Sequence, residues 1–173
     1  MADTLSTELK ASLTWLLSEA LDLSTVSDHA KLEYDETVTD GTGADEADLL
    51  WHDERQVVAA ANDDLDLTAL TQTVFGSTVT VSFAKVKALL IVNTSTTAGD
   101  ALHVGGAGAG AAFATPFSGD ADALVEVGAD GCLLLSNKKD GWTVTPTTGD
   151  VLRIHNPGAA SVTYRIALIG TSV

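Results

Sequence analysis

Histidines and neighbouring acids are the side chains in this sequence that could carry out acid–base chemistry. The histidines are His29, His52, His103 and His155. No two of them have the i, i+4 spacing of a zinc-binding helix, and the sequence lacks both a Gly-x-Ser-x-Gly nucleophile motif and a Cys–His signature. Asp53 and Glu54 follow His52, but successive side chains of a strand point to opposite faces, so adjacency alone makes no dyad. We therefore expect no catalytic residues and no enzyme.

An acidic stretch could in principle bind Ca²⁺, a hard cation that takes oxygen ligands. It contains Asp40, Asp45, Glu46 and Asp48. The spacing differs from that of an EF-hand loop, so the stretch predicts a solvated acidic loop and no metal site.

A glycine-rich loop matches a dinucleotide-binding pattern. The segment Gly106–Ala111 reads G-x-G-x-x-[GA], but a nucleotide site needs a helix immediately afterwards, and Phe113, Thr115 and Pro116 follow instead. We expect no cofactor here, and we interpret the loop as a mobile surface segment that orders against a neighbouring protein.

Charge excludes two classes of partner. The formal net charge is −15, and residues 1–75 hold 17 acids against 3 bases, whereas residues 76–173 hold 7 acids against 6 bases. Nucleic acid and anionic membrane surfaces both require clustered Lys and Arg, so neither is expected to bind. The repulsion among acids suggests that high salt or divalent cations stabilise the protein. The sequence also predicts no signal peptide, no membrane-spanning helix and no disulfide, with the lone Cys132 buried as a small hydrophobe.

The elements that must position these residues are predicted to be short strands. Many β-branched residues and Gly, Asp and Asn turn signals at 8–12-residue spacing predict a single antiparallel β-sandwich, jelly-roll-like in organisation. Its central strand is predicted at Val79–Val92, where alternation passes into the apolar run Ala88–Val92, which is typical of a strand covered on both faces. Lys85 and Lys87 are predicted partners for upstream acids, and Gly128–Gly131 is predicted to join two strands as a hairpin.

Residues 4–23 fit two structures. Their leucines form a helical stripe, while Leu5 to Leu17 also alternate as in a strand, so we expect an N-terminal arm or a short helix. The sequence divides into an attachment segment at residues 1–40 and a sandwich domain at 41–173.

Several segments resemble small virion structural proteins of tailed bacteriophages. In the first half these are Trp51–Arg55, Asn62–Asp64, Leu65–Leu67, Val74–Gly76 and Phe83–Lys87. In the second half they are Val104–Gly106, Gly141–Thr145, Thr148–Leu152 and Val162–Gly170. The resemblance covers roughly residues 45–170 and consists of turn and strand patterns. It implies a virion component without giving its position on the particle.

The expected function is structural. We expect a capsid decoration (cement) protein on the capsid surface of a virion, made in the host cytoplasm and bound to the major capsid protein or other virion proteins. A homo-oligomer is expected, with a trimer favoured. Alternatives are a fibre, spike or tail accessory protein that binds host glycans, and an enzyme acting on polysaccharide through paired carboxylates. The predicted contact residues are Leu5, Leu9, Leu13, Trp15, Leu16, Trp51, Gly106, Gly108, Gly110, Phe113 and Phe117.

Overall fold

The computed structural model describes residues 4–74, 76–108 and 110–173. The start of the predicted attachment segment, one residue of the Val74–Gly76 segment and one of the glycine-rich loop lie outside these ranges. The described chain is nearly all β, with one 3₁₀ turn at Thr115–Phe117. Its strands are β1 (Thr7–Ala20), β2 (Thr25–Val38), β3 (Leu49–Val57), β4 (Asn62–Asp66), β5 (Leu70–Val74), β6 (Ser77–Val81), β7 (Lys85–Asn93), β8 (Leu102–Gly105), β9 (Leu124–Val127), β10 (Cys132–Ser136), β11 (Trp142–Thr143), β12 (Val151–His155) and β13 (Val162–Thr171).

Two antiparallel sheets form the body of the protein, which confirms the predicted all-β sandwich. The first sheet has the order β10-β7-β13-β3, with the short β11 also pairing with β7, and the second has the order β4-β12-β8-β9. Alternate residues of each strand point inward, as the two-residue period of a strand requires. In the last strand the inward set is Val162, Tyr164, Ile166 and Leu168, the set that its sequence alternation predicts.

The predicted central strand at Val79–Val92 is wrong in its extent. β6 forms a separate hairpin with β5, and the chain leaves it at Ser82 before β7 begins at Lys85. The break occurs at Phe83, whose side chain is buried while its N–H donates to Leu67 O at 2.9 Å. β7 itself lies between β10 and β13, so the apolar half of the prediction is central to the first sheet.

The predicted hairpin across Gly128–Gly131 is also corrected. The turn is present, since Gly131 N donates to Gly128 O at 3.0 Å, but it joins strands of different sheets. β9 lies at the edge of the second sheet and β10 at the edge of the first. The segment therefore crosses from one sheet of the sandwich to the other, because β9 pairs with β8 and β10 pairs with β7.

Residues 7–38 form a long two-stranded hairpin, here called the arm. β1 and β2 pair over 14 residues each, from Thr7 opposite Val38 to Ala20 opposite Thr25. The residues are strand, so the alternating pattern decided the conformation and the helical alternative does not occur. Helix propensity is a weak preference, and pairing with β2 satisfies the backbone of β1 along its length.

Only the base of the arm packs on the body. Leu9 and Val38 are buried in a small cluster with Ala47, Ala88 and Ile169. Ala88 and Ile169 lie on the outer face of the first sheet, directly opposite each other on β7 and β13. The sandwich core and this small cluster therefore lie on opposite faces of one sheet.

Candidate functional site

The arm has one apolar face and one polar face. Directly paired residues of an antiparallel ribbon share a face, and the pairs alternate between the two faces. One face carries the pairs Leu13–Leu32, Trp15–Ala30 and Leu17–Asp28. The opposite face carries Glu8, Lys10, Ser12, Thr14, Leu16, His29, Lys31, Glu33 and Asp35.

The apolar face is exposed along the outer part of the arm. We call the residues Leu13, Trp15, Leu17, Val26, Leu32 and Tyr34 the arm face. Their exposed fractions run from 38% for Tyr34 to 71% for Leu17. Soluble monomers rarely expose a contiguous apolar surface of this kind, which is typical of a protein interaction site.

Polar contacts hold the arm in its orientation to the body. Tyr34 Oη lies 3.1 Å from Ser136 Oγ on β10, and the Lys138 ammonium pairs with the Glu36 carboxylate. The hydrogen bond to Glu36 raises the pKa of Lys138 above its ordinary value. Further out, the Trp15 indole N–H donates to Asp28 Oδ2 at 3.2 Å, so the polar end of this ring is satisfied within the arm. The ring itself stays available to a partner.

A second apolar surface lies on the outer face of the first sheet. We call the residues Leu50, Leu90, Val92, Leu134 and Ala167 the sheet patch. Leu50 and Leu90 are 40% and 38% exposed. A half-open cavity of about 340 Å³ lies over Leu50, Leu90, Leu134 and Ala167 and is bounded on its other side by residues 7–10 of the arm. The run Ala88–Val92 is therefore not covered on both faces as predicted, since only its Ala88 end lies under the arm.

Several predicted contact residues occupy positions that a partner cannot reach. Trp51 and Phe113 are each 2% exposed and belong to the sandwich core, where Trp51 Nε1 also donates to Thr71 O at 3.0 Å. Both are too deeply buried to form contacts on the folded chain. Conversely Cys132, predicted to be buried, is exposed, because it lies on the outward side of edge strand β10 opposite Val92.

The other predicted contact residues lie in the arm, in the 3₁₀ turn and in the glycine-rich loop. Leu5 and Leu9 lie at the arm base, Leu13 and Trp15 on the arm face, and Leu16 on the polar face of the arm. Phe117 is half-buried against the sandwich core. In the glycine-rich loop Gly106 and Gly108 are half-buried and Gly110 is exposed, and no helix follows the loop.

The two acids that follow His52 are each paired with an arginine. His52 and Glu54 point outward from β3, whereas Asp53 points to the inner side, so these neighbours do not form a dyad. They line an open polar trough of about 620 Å³ beside β5. Asp53 Oδ2 accepts from Arg55 Nη1 at 3.1 Å, and Glu54 Oε2 accepts from Arg165 Nε at 2.7 Å.

A half-buried polar cluster links the two sheets next to this trough. Arg55 donates twice to Asp63 of β4, at 2.6 and 2.8 Å, and Tyr164 Oη donates to Asp63 Oδ2 at 2.8 Å. Burial would raise the pKa of Asp63, but the hydrogen bonds from Arg55 and Tyr164 outweigh it and hold that pKa below its ordinary value. Burial, together with the Asp63 charge, raises the pKa of Tyr164. The cluster keeps its charges fixed and acts as a structural clasp between the sheets.

Lys87 also differs from its predicted role as a partner of upstream acids. Its buried ammonium donates to the carbonyl oxygens of Gly43, Lys138 and Lys139 at 3.1, 3.0 and 2.7 Å. Burial, together with the charge of Lys85, lowers the pKa of Lys87. The ammonium therefore joins two loops beside the arm base.

The acids of the predicted solvated loop have separate structural partners. Asp40 accepts from Leu5 N, Glu46 from Gly43 N, and Asp48 from Ser172 N, at 3.1, 2.8 and 2.8 Å. Within the described residues no three His, Cys, Asp or Glu side chains are grouped so that they could hold a metal ion. The imidazoles of His103 and His155 lie 5.7 Å apart on the second sheet, where His155 Nδ1 is 2.7 Å from Asn62 Oδ1.

The sheet patch was missed because its residues lie inside an apolar run. In Ala88–Val92 the outward and inward residues are equally apolar, so alternation could not show that one face is open. The signal that could have found it is the matching run Cys132–Leu135 of the neighbouring strand, because one sheet face would then be apolar on two adjacent strands.

Over residues 4–74, 76–108 and 110–173, the structure contains no helix long and apolar enough to span a membrane. No protein-family model matches the chain, and comparisons with curated proteins and with solved structures found no significant match either.

Proposed function

We propose that this protein is a non-enzymatic structural subunit of a virion, most specifically a capsid decoration protein that attaches through its arm. The observation that carries the proposal is the arm face, an exposed apolar surface held clear of the body by 14 paired residues on each strand. A single two-stranded ribbon is marginally stable in water, so a long one with an open apolar face calls for a partner.

The connectivity of the body supports the same role. We infer that the sandwich is a jelly roll. Its eight main strands in chain order are β3, β4, β7, β8, β9, β10, β12 and β13. They form the sheets β10-β7-β13-β3 and β4-β12-β8-β9, which is the interleaved order of two Greek keys wound together. Viral capsid domains use this architecture, and so do lectins, so the fold agrees with the resemblance to phage proteins by analogy.

The chemistry of the candidate site favours a structural role over the enzyme alternative. A carboxylate that acts as a general acid or base must be free to exchange a proton with a substrate. Asp53, Glu54 and Asp63 are instead each held by an arginine. The exposed aromatic residues Trp15 and Tyr34 lie on the arm face, in line with aliphatic side chains, an arrangement that suits a protein partner better than a glycan.

Cryo-electron microscopy of phage particles released from the source cells tests the proposal. We expect density for this sandwich on the outer surface of the shell, with the arm at the contact. Mass spectrometry of the same purified particles should detect the chain in a fixed ratio to the major capsid protein. Particles that lack the chain would overturn the virion assignment, and density on a tail or fibre would overturn the decoration role.

A further inference from the structure

The outer face of the first sheet consists of three rows of side chains that cross its strands. The strand register places Ser136, Ala88, Ile169 and Leu50 in one row, Leu134, Leu90, Ala167 and His52 in the next, and Cys132, Val92, Arg165 and Glu54 in the third. The arm base covers the middle of the first row, where Ala88 and Ile169 are buried. The second row is apolar except for His52 at its end, and its Leu90 is exposed beside the arm base.

The arm face continues the surface that covers the first row. Leu9 packs on Ala88 and Ile169, and Leu13 and Leu17 lie on the same side of β1 at the same two-residue period. The arm therefore repeats, beyond its base, the kind of apolar surface that already packs on this sheet. Beyond the base, Tyr34 contacts the sheet through its hydroxyl at Ser136, and the other residues of the arm face leave a matching apolar surface unused.

We propose that a second copy of this chain covers the arm face with its sheet patch, and that the two copies exchange arms. The proposal rests on the proposed role of the arm as an attachment element and names its partner. Each chain has one exposed arm face and one half-open sheet patch, so a second copy can cover both surfaces of the first at the same time. The contact extends an interface that the chain already forms within itself at the arm base.

The available area is sufficient for a stable contact. Six large side chains that expose 38% to 71% of their surface present on the order of 600 Å² of arm face per chain. Two exchanged arms present about 1,200 Å² of arm face, to which the sheet patches add, and specific protein interfaces bury about 1,200 Å² or more.

Charge at the margins fits the same pairing. The arm face ends in Asp28 and Glu19 near its tip, whereas the sheet patch is bordered by Arg165, whose side chain is 69% exposed and also pairs with Glu54. The overall charge of −15 on each copy opposes association. Added salt screens this long-range repulsion, so the association should tighten as salt rises.

Sedimentation equilibrium of the full chain tests the proposal. We expect a self-associating species whose dissociation constant falls when NaCl is raised. Leu17→Glu on the arm face and Leu90→Glu in the sheet patch should each raise that constant about 100-fold or more, because each buries an unpaired charge in the contact. Leu16→Glu is the matched control, since Leu16 is similarly exposed but lies on the polar face of the arm, and it should associate as the native chain does.

The exposed Cys132 allows a direct test of the contact. Single substitutions Leu13→Cys, Leu17→Cys and Leu32→Cys place a thiol along the arm face, and oxidation should link at least one of them to Cys132 of another copy. The reducible dimer should disappear when Cys132→Ser is added, whereas Leu16→Cys should give none. Peptide mapping identifies the linked residues.

The outcomes separate this proposal from the proposed function. A chain that stays monomeric at high salt overturns the exchange of arms. The exchange is also overturned if Leu17→Glu abolishes association while Leu90→Glu and the thiol variants have no effect, because the arms of two copies would then pack on each other and not on the sheet patch. A monomer that is nevertheless found on particles retains the virion role. A dimer that is absent from particles retains the exchange and removes the virion role.

Discussion

At the scale of single residues, two clusters, one around Asp63 and one around Lys87, tie separate parts of the fold together. Arg55 and Tyr164 converge on Asp63 between the edges of the two sheets. Lys87 gathers three backbone carbonyls from loops at the arm base. In each cluster one charged side chain takes part in three hydrogen bonds, and hydrogen bonds to charged groups contribute more to stability than those between neutral groups.

Asp63→Asn should lower the free energy of unfolding by about 2–3 kcal/mol, because Arg55 and Tyr164 lose the charged acceptor of three hydrogen bonds. Asp64→Asn is the control, since Asp64 pairs with Arg153 at the surface, and it should cost less than about 1 kcal/mol. Urea unfolding at pH 7 measures both. Equal effects of the two substitutions would contradict the clasp.

The depressed pKa of Asp63 also predicts a pH dependence. Its contribution to stability is complete above the pKa of the unfolded carboxyl, about 3.9, and is lost as pH falls toward the lower pKa of the folded state. The stability difference between the native chain and Asp63→Asn should therefore shrink as pH is lowered through this window. Unfolding curves at pH steps from 5 downward measure it, and a constant difference would contradict the assignment.

Lys87→Met should destabilise the protein by about 2–4 kcal/mol, since it removes the charged donor of three hydrogen bonds. Lys85→Met is the matched control at the neighbouring outer position of β7, and its effect should be below about 1 kcal/mol. Thermal unfolding of both variants gives the comparison. A larger loss for the Lys85 variant would show that the ammonium of Lys87 is not what joins these loops.

At the scale of elements, the pairing of β7 with β13 in the first sheet is irregular near its end. The register between them shifts at Ile169 and Gly170, a β-bulge. A Cβ added to Gly170 would lie 1.9 Å from Lys85 O, so only glycine fits there. The bulge brings Thr171 beside the entry of β7, where Ala84 N donates to Thr171 O at 2.8 Å.

Gly170→Ala should lower the free energy of unfolding by more than about 3 kcal/mol or prevent folding, because the backbone of β7 must move aside. Gly128→Ala is the control, since no atom lies within 4 Å of its added Cβ, and it should be nearly neutral. Circular dichroism and urea titration distinguish the two. Similar stability of both variants would contradict the close approach at the bulge.

At the scale of the whole molecule, charge is the dominant long-range property. A net charge of −15 on 173 residues opposes the compact state through self-repulsion. Most of the described ion pairs are exposed or only half-buried, so their individual contributions are small and salt removes little by weakening them.

The melting temperature should therefore rise between about 0.05 and 0.5 M NaCl, as screening relieves the repulsion. CaCl₂ at matched ionic strength should give a similar rise if screening alone acts, because the described residues form no metal-binding group. Differential scanning calorimetry makes the comparison. A melting temperature that stays constant or falls with NaCl would contradict the electrostatic account.

Sequence patterns predicted the sandwich more completely than they predicted the exposed apolar surfaces. In β13 the inward side can be recognised because the polar Thr163 and Arg165 lie on the outer side, whereas the residues on both faces of β7 around Leu90 are apolar, so the sequence does not show which face is exposed. Strand pairing could not be read at Gly128–Gly131, because a tight turn serves a hairpin and a crossover alike. The sequence predicts Trp51 as a contact residue, and its place in the core depends on neighbours that are distant in the sequence.

Chain order gives the arm base a consequence for biosynthesis. Leu9 and Val38 rest on Ile169, so translation completes the arm long before it delivers the strand that supports it. At about 5–20 residues per second the apolar side of the hairpin waits on the order of ten seconds near the ribosome. During this interval the nascent chains translated from one mRNA are most prone to aggregate through these apolar side chains. The acids concentrated in residues 1–75 give neighbouring chains a like charge, so that they repel one another. The uneven distribution of charge along the sequence thus protects the nascent chain from aggregation until Ile169 has been synthesised.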